Sequence, residues 1–147
     1  MTQKQKELLH KDLCARLPYG VKVRYSSYEK FITCTLQAID YVYNNVDLWS
    51  KDACFNPVNI SKIKPYLFPM SSMTEEQKYD FYCRFIESDY GFDDFKEYYL
   101  DNGMWHKLLT TLDDIESIID WFHKNHFDYR DLIPMGLAID ATGLNIY

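Results

Sequence analysis

The chain has 147 residues, a length at which one hydrophobic core holds a fold without a metal or disulfide staple. Its 47% apolar content excludes a disordered chain, and no apolar run nears the ~20 residues that a membrane-spanning helix needs. The formal charge of −6 and a pI near 5.1 work against nucleic acid as a partner of the chain taken as a whole.

The charge is unevenly placed. Residues 1–72 carry ten Lys/Arg against six Asp/Glu, a net of +4, whereas residues 73–147 carry six against sixteen, a net of −10. Halves that pack together would partly neutralise each other. An acidic surface left open would steer a basic partner. Aromatic residues make up 17% of the chain, 13 of them Tyr, whose apolar ring and polar tip suit a core boundary or a contact surface.

In chain order, Leu9, Leu13 and Leu17 recur at a spacing of four with Leu8 beside them, which predicts a helix over residues 3–16. Pro18 and Gly20 stop it. Residues 21–25 alternate apolar and polar as a strand does. Ser26 and Ser27 turn the chain, and residues 31–43, rich in β-branched and aromatic side chains, predict one or two strands. A turn at Asn44 and Asn45 and a short strand over 46–49 complete a small antiparallel meander. Residues 56–73 hold Pro57, Pro65 and Pro69 and read as a loop with a brief turn near 60–63.

Thr74 to Gln77 fits a capping box and opens a helix whose inner face is Phe81, Tyr82, Phe85 and Ile86. Asp89, Tyr90 and Gly91 read as a break. Phe92, Phe95 and Tyr99 suit a helix, and residues 104–109 a strand. Thr111 as a cap, with Ile115, Ile118, Ile119 and Phe122 as a stripe, predicts a helix to about Lys124. A last short helix is expected after Asp131 with Pro134 in its first turn, followed by a loose tail at Gly143. The expectation is one α+β domain over residues 1–147: about three antiparallel strands from residues 21–49, packed against three to five helices.

Four cysteines at 14, 34, 54 and 83 form no C-x-x-C pair and match no zinc spacing, so free thiols in a reducing compartment are expected. The polar N-terminus has no signal-peptide pattern, which places the protein in the cytoplasm. His123 and His126, three apart on a helix face, with Asp128 beyond, are the one metal-like constellation. An ending helix whose imidazoles cap carbonyls accounts for them without a metal. Asp93-Asp94 and Asp113-Asp114 sit where first-turn acids stabilise helices, and no glycine-rich phosphate loop is present. No catalytic, metal or cofactor residue is therefore assigned, and the chain is expected not to be an enzyme.

Two surfaces could recognise a partner. Lys22, Arg24 and Lys30 interleave with Tyr25, Tyr28 and Phe31, a pattern that stacks single-stranded bases on a sheet. Trp121, His126, Asp128, Tyr129 and Arg130 gather aromatic, acidic and guanidinium groups as interface hot spots do, although Arg130 reads first as a turn anchor through Asp128 or Asp131.

Three stretches also carry a resemblance. Residues 13–22 (ending LPYGVK), residues 64–76 (KPYL through PMSSMTEE) and residues 120–138 (DW through HFDYRDLI and GLA) resemble a group of small proteins from gut Bacteroides-type bacteria, their phages and prophages. The match covers about a third of the chain and implies a mobile-element accessory protein made inside a bacterium. It implies no catalytic residue. The functional expectation is a non-enzymatic protein acting by protein–protein interaction, including inhibition of a host factor, with a single-stranded nucleic-acid-binding domain as the alternative. No cofactor and no membrane partner is expected.

Overall fold

The computed structural model describes residues 1–28, 30–86 and 91–147. The fold is α+β, with five α-helices and a six-stranded mixed sheet among the described residues. It divides into two compact units, one formed by residues 1–67 and 130–147, the other by residues 68–129.

The first unit is built on the sheet. Its strands are β1 (Lys22–Ser26), β2 (Phe31–Asp40), β3 (Asn45–Trp49), β4 (Cys54–Asn59), β5 (Ile63–Leu67) and β6 (Ile139–Asp140), in the order β4-β3-β2-β1-β5-β6. All neighbours are antiparallel except β5 and β6. Helix α1 (Gln3–Arg16) opens on a capping box in which Thr2 Oγ1 accepts from the Gln5 amide and Gln5 Oε1 accepts from Thr2 N–H. Its Leu9 and Leu13 are fully buried and join Val21, Val23, Cys34, Leu36, Val46 and Leu48 in one apolar cluster. Period-2 alternation thus sends one side of the sheet into the core and leaves the other side outward. Inside this unit Asp12 and Arg16 are wholly buried and paired at 2.7 Å, and Arg130 lies 3.7 Å from the same carboxylate.

The sheet is twice as wide as the meander expected from residues 21–49. Residues 56–67 are not one loop but two strands joined by the short 3₁₀ turn Ile60–Lys62. Proline removes one donor, which an edge strand tolerates, and β4 is an edge. Pro65 pairs in register with Val23 on β1 and lies one residue before the short β5–β6 ladder begins at Tyr66. The single strand β2 ends at Asp40, and the turn falls at residues 41–44 rather than at Asn44 and Asn45. No helix follows Asp131. Left-handed backbone at Asp131 (φ +57°) and Gly136 (φ +71°) confines the segment to a single turn before β6. Nor is the tail loose: the Tyr147 hydroxyl donates to Tyr66 O at 2.8 Å and accepts from the Lys22 amide at 3.1 Å. Burial pushes this phenol up to about 12.

The second unit is helical: α2 (Glu75–Phe85), α3 (Phe92–Phe95) running into a π-helical turn (Lys96–Asp101), α4 (Trp105–Thr111) and α5 (Ile115–Lys124). Thr74 and Gln77 form the expected capping box of α2. Phe81 is the centre of the core. It stacks on Phe122 with centroids 5.6 Å apart, meets Trp121 edge-on at 5.2 Å and stacks on Phe95 at 6.3 Å. Residues 104–109 form a helix, not a strand, because Trp105 and Leu108, three apart, both turn into this core. Thr111 ends α4, its hydroxyl donating to Lys107 O, and Asp114 caps α5 by accepting from Ser117 N–H. Asp89 and Tyr90, read as part of a break, lie outside the described residues.

Candidate functional site: the open face of the sheet

The outward side of the sheet follows from register. Lys22 stands beside Thr35, Arg24 beside Thr33 and Ser26 beside Phe31 across β1 and β2. Arg24 also faces Lys64 on β5, and Thr35 faces Trp49 on β3. Side chains directly opposite in a ladder share a face, so Lys22, Arg24 and Lys64 form a cationic group with Phe31 at one end and Trp49 at the other. The face is open at its rings, Phe31 being 68% exposed and Trp49 50% exposed, while Lys22, Arg24 and Lys64 are half-buried. Asp47, two residues before Trp49 on the same side of β3, marks the limit of the cationic area.

Hydroxyl groups order this face. Lys22 Nζ donates to Thr35 Oγ1 at 2.7 Å, and Thr33 Oγ1 lies 3.5 Å from the Tyr66 hydroxyl. The Arg24 guanidinium sits over the Phe31 ring, 4.5 Å from its centroid. At the rim the arrangement repeats, with Lys62 Nζ 5.2 Å from the centroid of the almost fully exposed Tyr28. Among the described residues, none of Lys22, Arg24, Lys62 and Lys64 is in an ion pair.

The sequence reading pointed to Lys22, Arg24 and Phe31 but not to Lys64 or Trp49. The alternation Ile63, Lys64, Pro65, Tyr66, Leu67 was the available signal for the former, masked by its proline. Lys30 is exposed and Tyr25 half-buried on the core side, where it packs on Phe55.

The second cluster has a different setting. Trp121 is 7% exposed and lies in the helical core, its Nε1–H donating to Asp80 Oδ2 at 3.0 Å. Hydrogen bonds from Arg84 and then Trp121 hold the Asp80 carboxyl below the usual range. His126 is buried with left-handed backbone (φ +58°) just past the end of α5. The amides of His126 and Phe127 donate to the carbonyls of His123 and Phe122, which is the Schellman closure of a helix. Asp128 is buried where its amide donates to Phe68 O, and Phe68 N–H donates to His126 O, making a one-residue parallel bridge. Tyr129 is buried with its hydroxyl 2.9 Å from His123 Nε2. Arg130 is half-buried and approaches Asp12. The structure thus places four of these five side chains inside, with packing and backbone closure as their visible work. Among the described residues no three His, Cys, Asp or Glu side chains are arranged to hold a metal ion.

The helical unit also has an open cleft of about 610 Å³ lined by Arg84, Phe85, Asp114, Glu116, Asp120 and Lys124. Its Arg84 is held by Asp80 at 2.8 Å. No helix among the described residues is long and apolar enough to cross a membrane. Comparison with protein-family models, curated proteins and solved structures finds no match to this chain.

Proposed function

We propose that this chain is a non-enzymatic binding protein whose working surface is the open face of β1, β2, β3 and β5, and whose partner is a polyanion. The observation that carries this is the group Lys22, Arg24 and Lys64, half-buried together on the outward side of the sheet with no carboxylate partner among the described residues. The charge division favours it. The sheet unit holds eleven Lys/Arg against eight Asp/Glu, a net of +3, and the helical unit five against fourteen, a net of −9. The net charge of −6 therefore misrepresents the unit that carries the face. The test is retention on a heparin matrix at low salt. The protein is expected to bind and to elute as salt rises, and a Lys22→Gln, Arg24→Gln, Lys64→Gln variant to pass unretained. A wild-type protein in the flow-through ends the reading.

A second reading, contact with a protein partner, is favoured by the turn between β2 and β3. Tyr41, Val42 and Tyr43 are exposed by 65%, 77% and 72%. The turn is nonetheless braced: Asp40 Oδ1 accepts from the amides of Val42 and Tyr43, and the His10 ring packs edge-on against Tyr41 at 5.1 Å. A photo-crosslinker in place of Val42 is expected to capture one defined protein. Capture unchanged by Tyr41→Ser with Tyr43→Ser rules this out.

A further inference from the structure

We infer that the polyanion is a single-stranded nucleic acid, with Phe31 and Trp49 as stacking platforms and Lys22, Arg24 and Lys64 as phosphate contacts; this rests on the polyanion-face reading above. The rings are what discriminate between polyanions. A sulfated polysaccharide or an acidic protein surface supplies negative charge but no run of planar rings. A duplex supplies phosphates but keeps its bases stacked on each other. A single strand offers both the charges and the free π-faces.

The face is arranged for that combination. Phe31 and Thr35 are four residues apart on the same side of β2, about 13 Å at ~3.3 Å per residue, and Trp49 stands next to Thr35. The cations of β1 and β5 lie beside Phe31, on the opposite side of β2 from Trp49, and the Lys22 ammonium reaches back to Thr35 next to that indole. Arg24 against Phe31 places positive charge beside the position where a base would stack, and Lys62 with Tyr28 repeats the pair at the rim. Phe31 and Tyr28 are the large hydrophobic side chains with the most surface left open near these cations, at 68% and 99% exposure. The hydroxyls of Thr33 and Thr35 line the floor between the rings, where an unstacked base edge finds a donor and an acceptor.

The experiment is fluorescence polarisation of the whole chain with three labelled probes: a short oligothymidylate, a duplex of the same length and a heparin oligosaccharide, each over a salt series. The oligothymidylate is expected to bind tightest. Phe31→Ala and Trp49→Ala should each weaken it roughly five- to a hundred-fold, the range of one lost base stack, while leaving heparin binding unchanged. Lys64→Gln should flatten the salt dependence for every probe. Heparin or duplex bound as tightly as the single strand, with Phe31→Ala and Trp49→Ala silent, overturns this inference while the polyanion face stands. Binding to none of the three overturns both.

Discussion

In the sheet unit Lys22 rests on a hydroxyl and Arg24 and Lys62 on rings, and neither these nor Lys64 has a carboxylate partner among the described residues. In the helical unit Lys78, Arg84 and Lys96 are ion-paired, while Lys107 rests on the hydroxyl and ring of Tyr98. Glu75 holds Lys78 and Lys96, each at 2.9 Å, Asp101 holds Lys78 at 2.6 Å, and Asp80 holds Arg84. The aromatic residues divide in the opposite sense. The helical unit buries Phe81, Phe95, Trp105, Trp121, Phe122 and Phe127, while the sheet unit leaves Tyr28, Phe31, Tyr41, Tyr43 and Trp49 exposed. The helical unit thus buries many of its rings and pairs three of its cations, whereas the sheet unit, its buried Asp12–Arg16 pair apart, keeps several rings and cations on its surface. An exposed ring beside an unpaired cation contributes little to folding, which leaves these groups available to the proposed polyanion.

Four measurements would break or sharpen that contrast. The largest effect is expected from Phe81→Ala, which empties the ring cluster of the helical unit and should cost about 3–5 kcal/mol. Native-state hydrogen exchange should then show lost protection over α2 and α5. Full protection there would mean that Phe81 is not the keystone of that core. In the sheet unit, Asp12→Ala removes the carboxylate that pairs with the fully buried Arg16 and should cost roughly 3 kcal/mol by urea unfolding, since breaking a buried ion pair is strongly destabilising.

A smaller effect tests the ion pairs. Hydrogen bonds from Lys78 and then Lys96 hold the Glu75 carboxyl below its ordinary value. A lowered carboxyl stabilises the fold at pH above the unfolded value, ~4.3, and loses that contribution as pH falls through the folded value. The melting temperature of the wild type should therefore drop across this acid range, and Glu75→Gln should drop less. Equal acid sensitivity in the two proteins would remove Glu75 from the account. The smallest effect on stability is expected at the face: Phe31→Ala and Trp49→Ala should change unfolding free energy by less than about 0.5 kcal/mol. A large loss there would make these rings structural and remove the contrast.

How much of this was legible before the structure depended on the kind of signal. Helix α1 showed in its leucine spacing, α2 in the Thr74 capping box and α5 in the Ile115, Ile118, Ile119 and Phe122 stripe, because helical periodicity is local. Strands β4 and β5 were hidden by Pro57 and Pro65, whose missing donors are harmless only in a particular sheet position, which is a non-local fact. Strand β6, two residues long, carries no pattern to read. The face was half legible. Lys22, Arg24 and Phe31 lie within ten residues of one another, whereas Lys64 and Trp49 join them only through register. Trp121, His126, Asp128 and Tyr129 looked like a contact surface because an aromatic, hydrogen-bonding cluster has the same composition inside a core as on a surface.

The pairing of Cys54 with Trp49 across β3 and β4 has a practical consequence. Cys54 is exposed on the same side of the sheet as the indole, whereas Cys34 is buried behind it and its thiol is pushed up by burial. With Cys14 and Cys83 changed to Ser, an environment-sensitive dye on Cys54 would sit at the border of the cationic area. Occupancy could then be followed in real time as a change in dye emission, with no label on the incoming molecule.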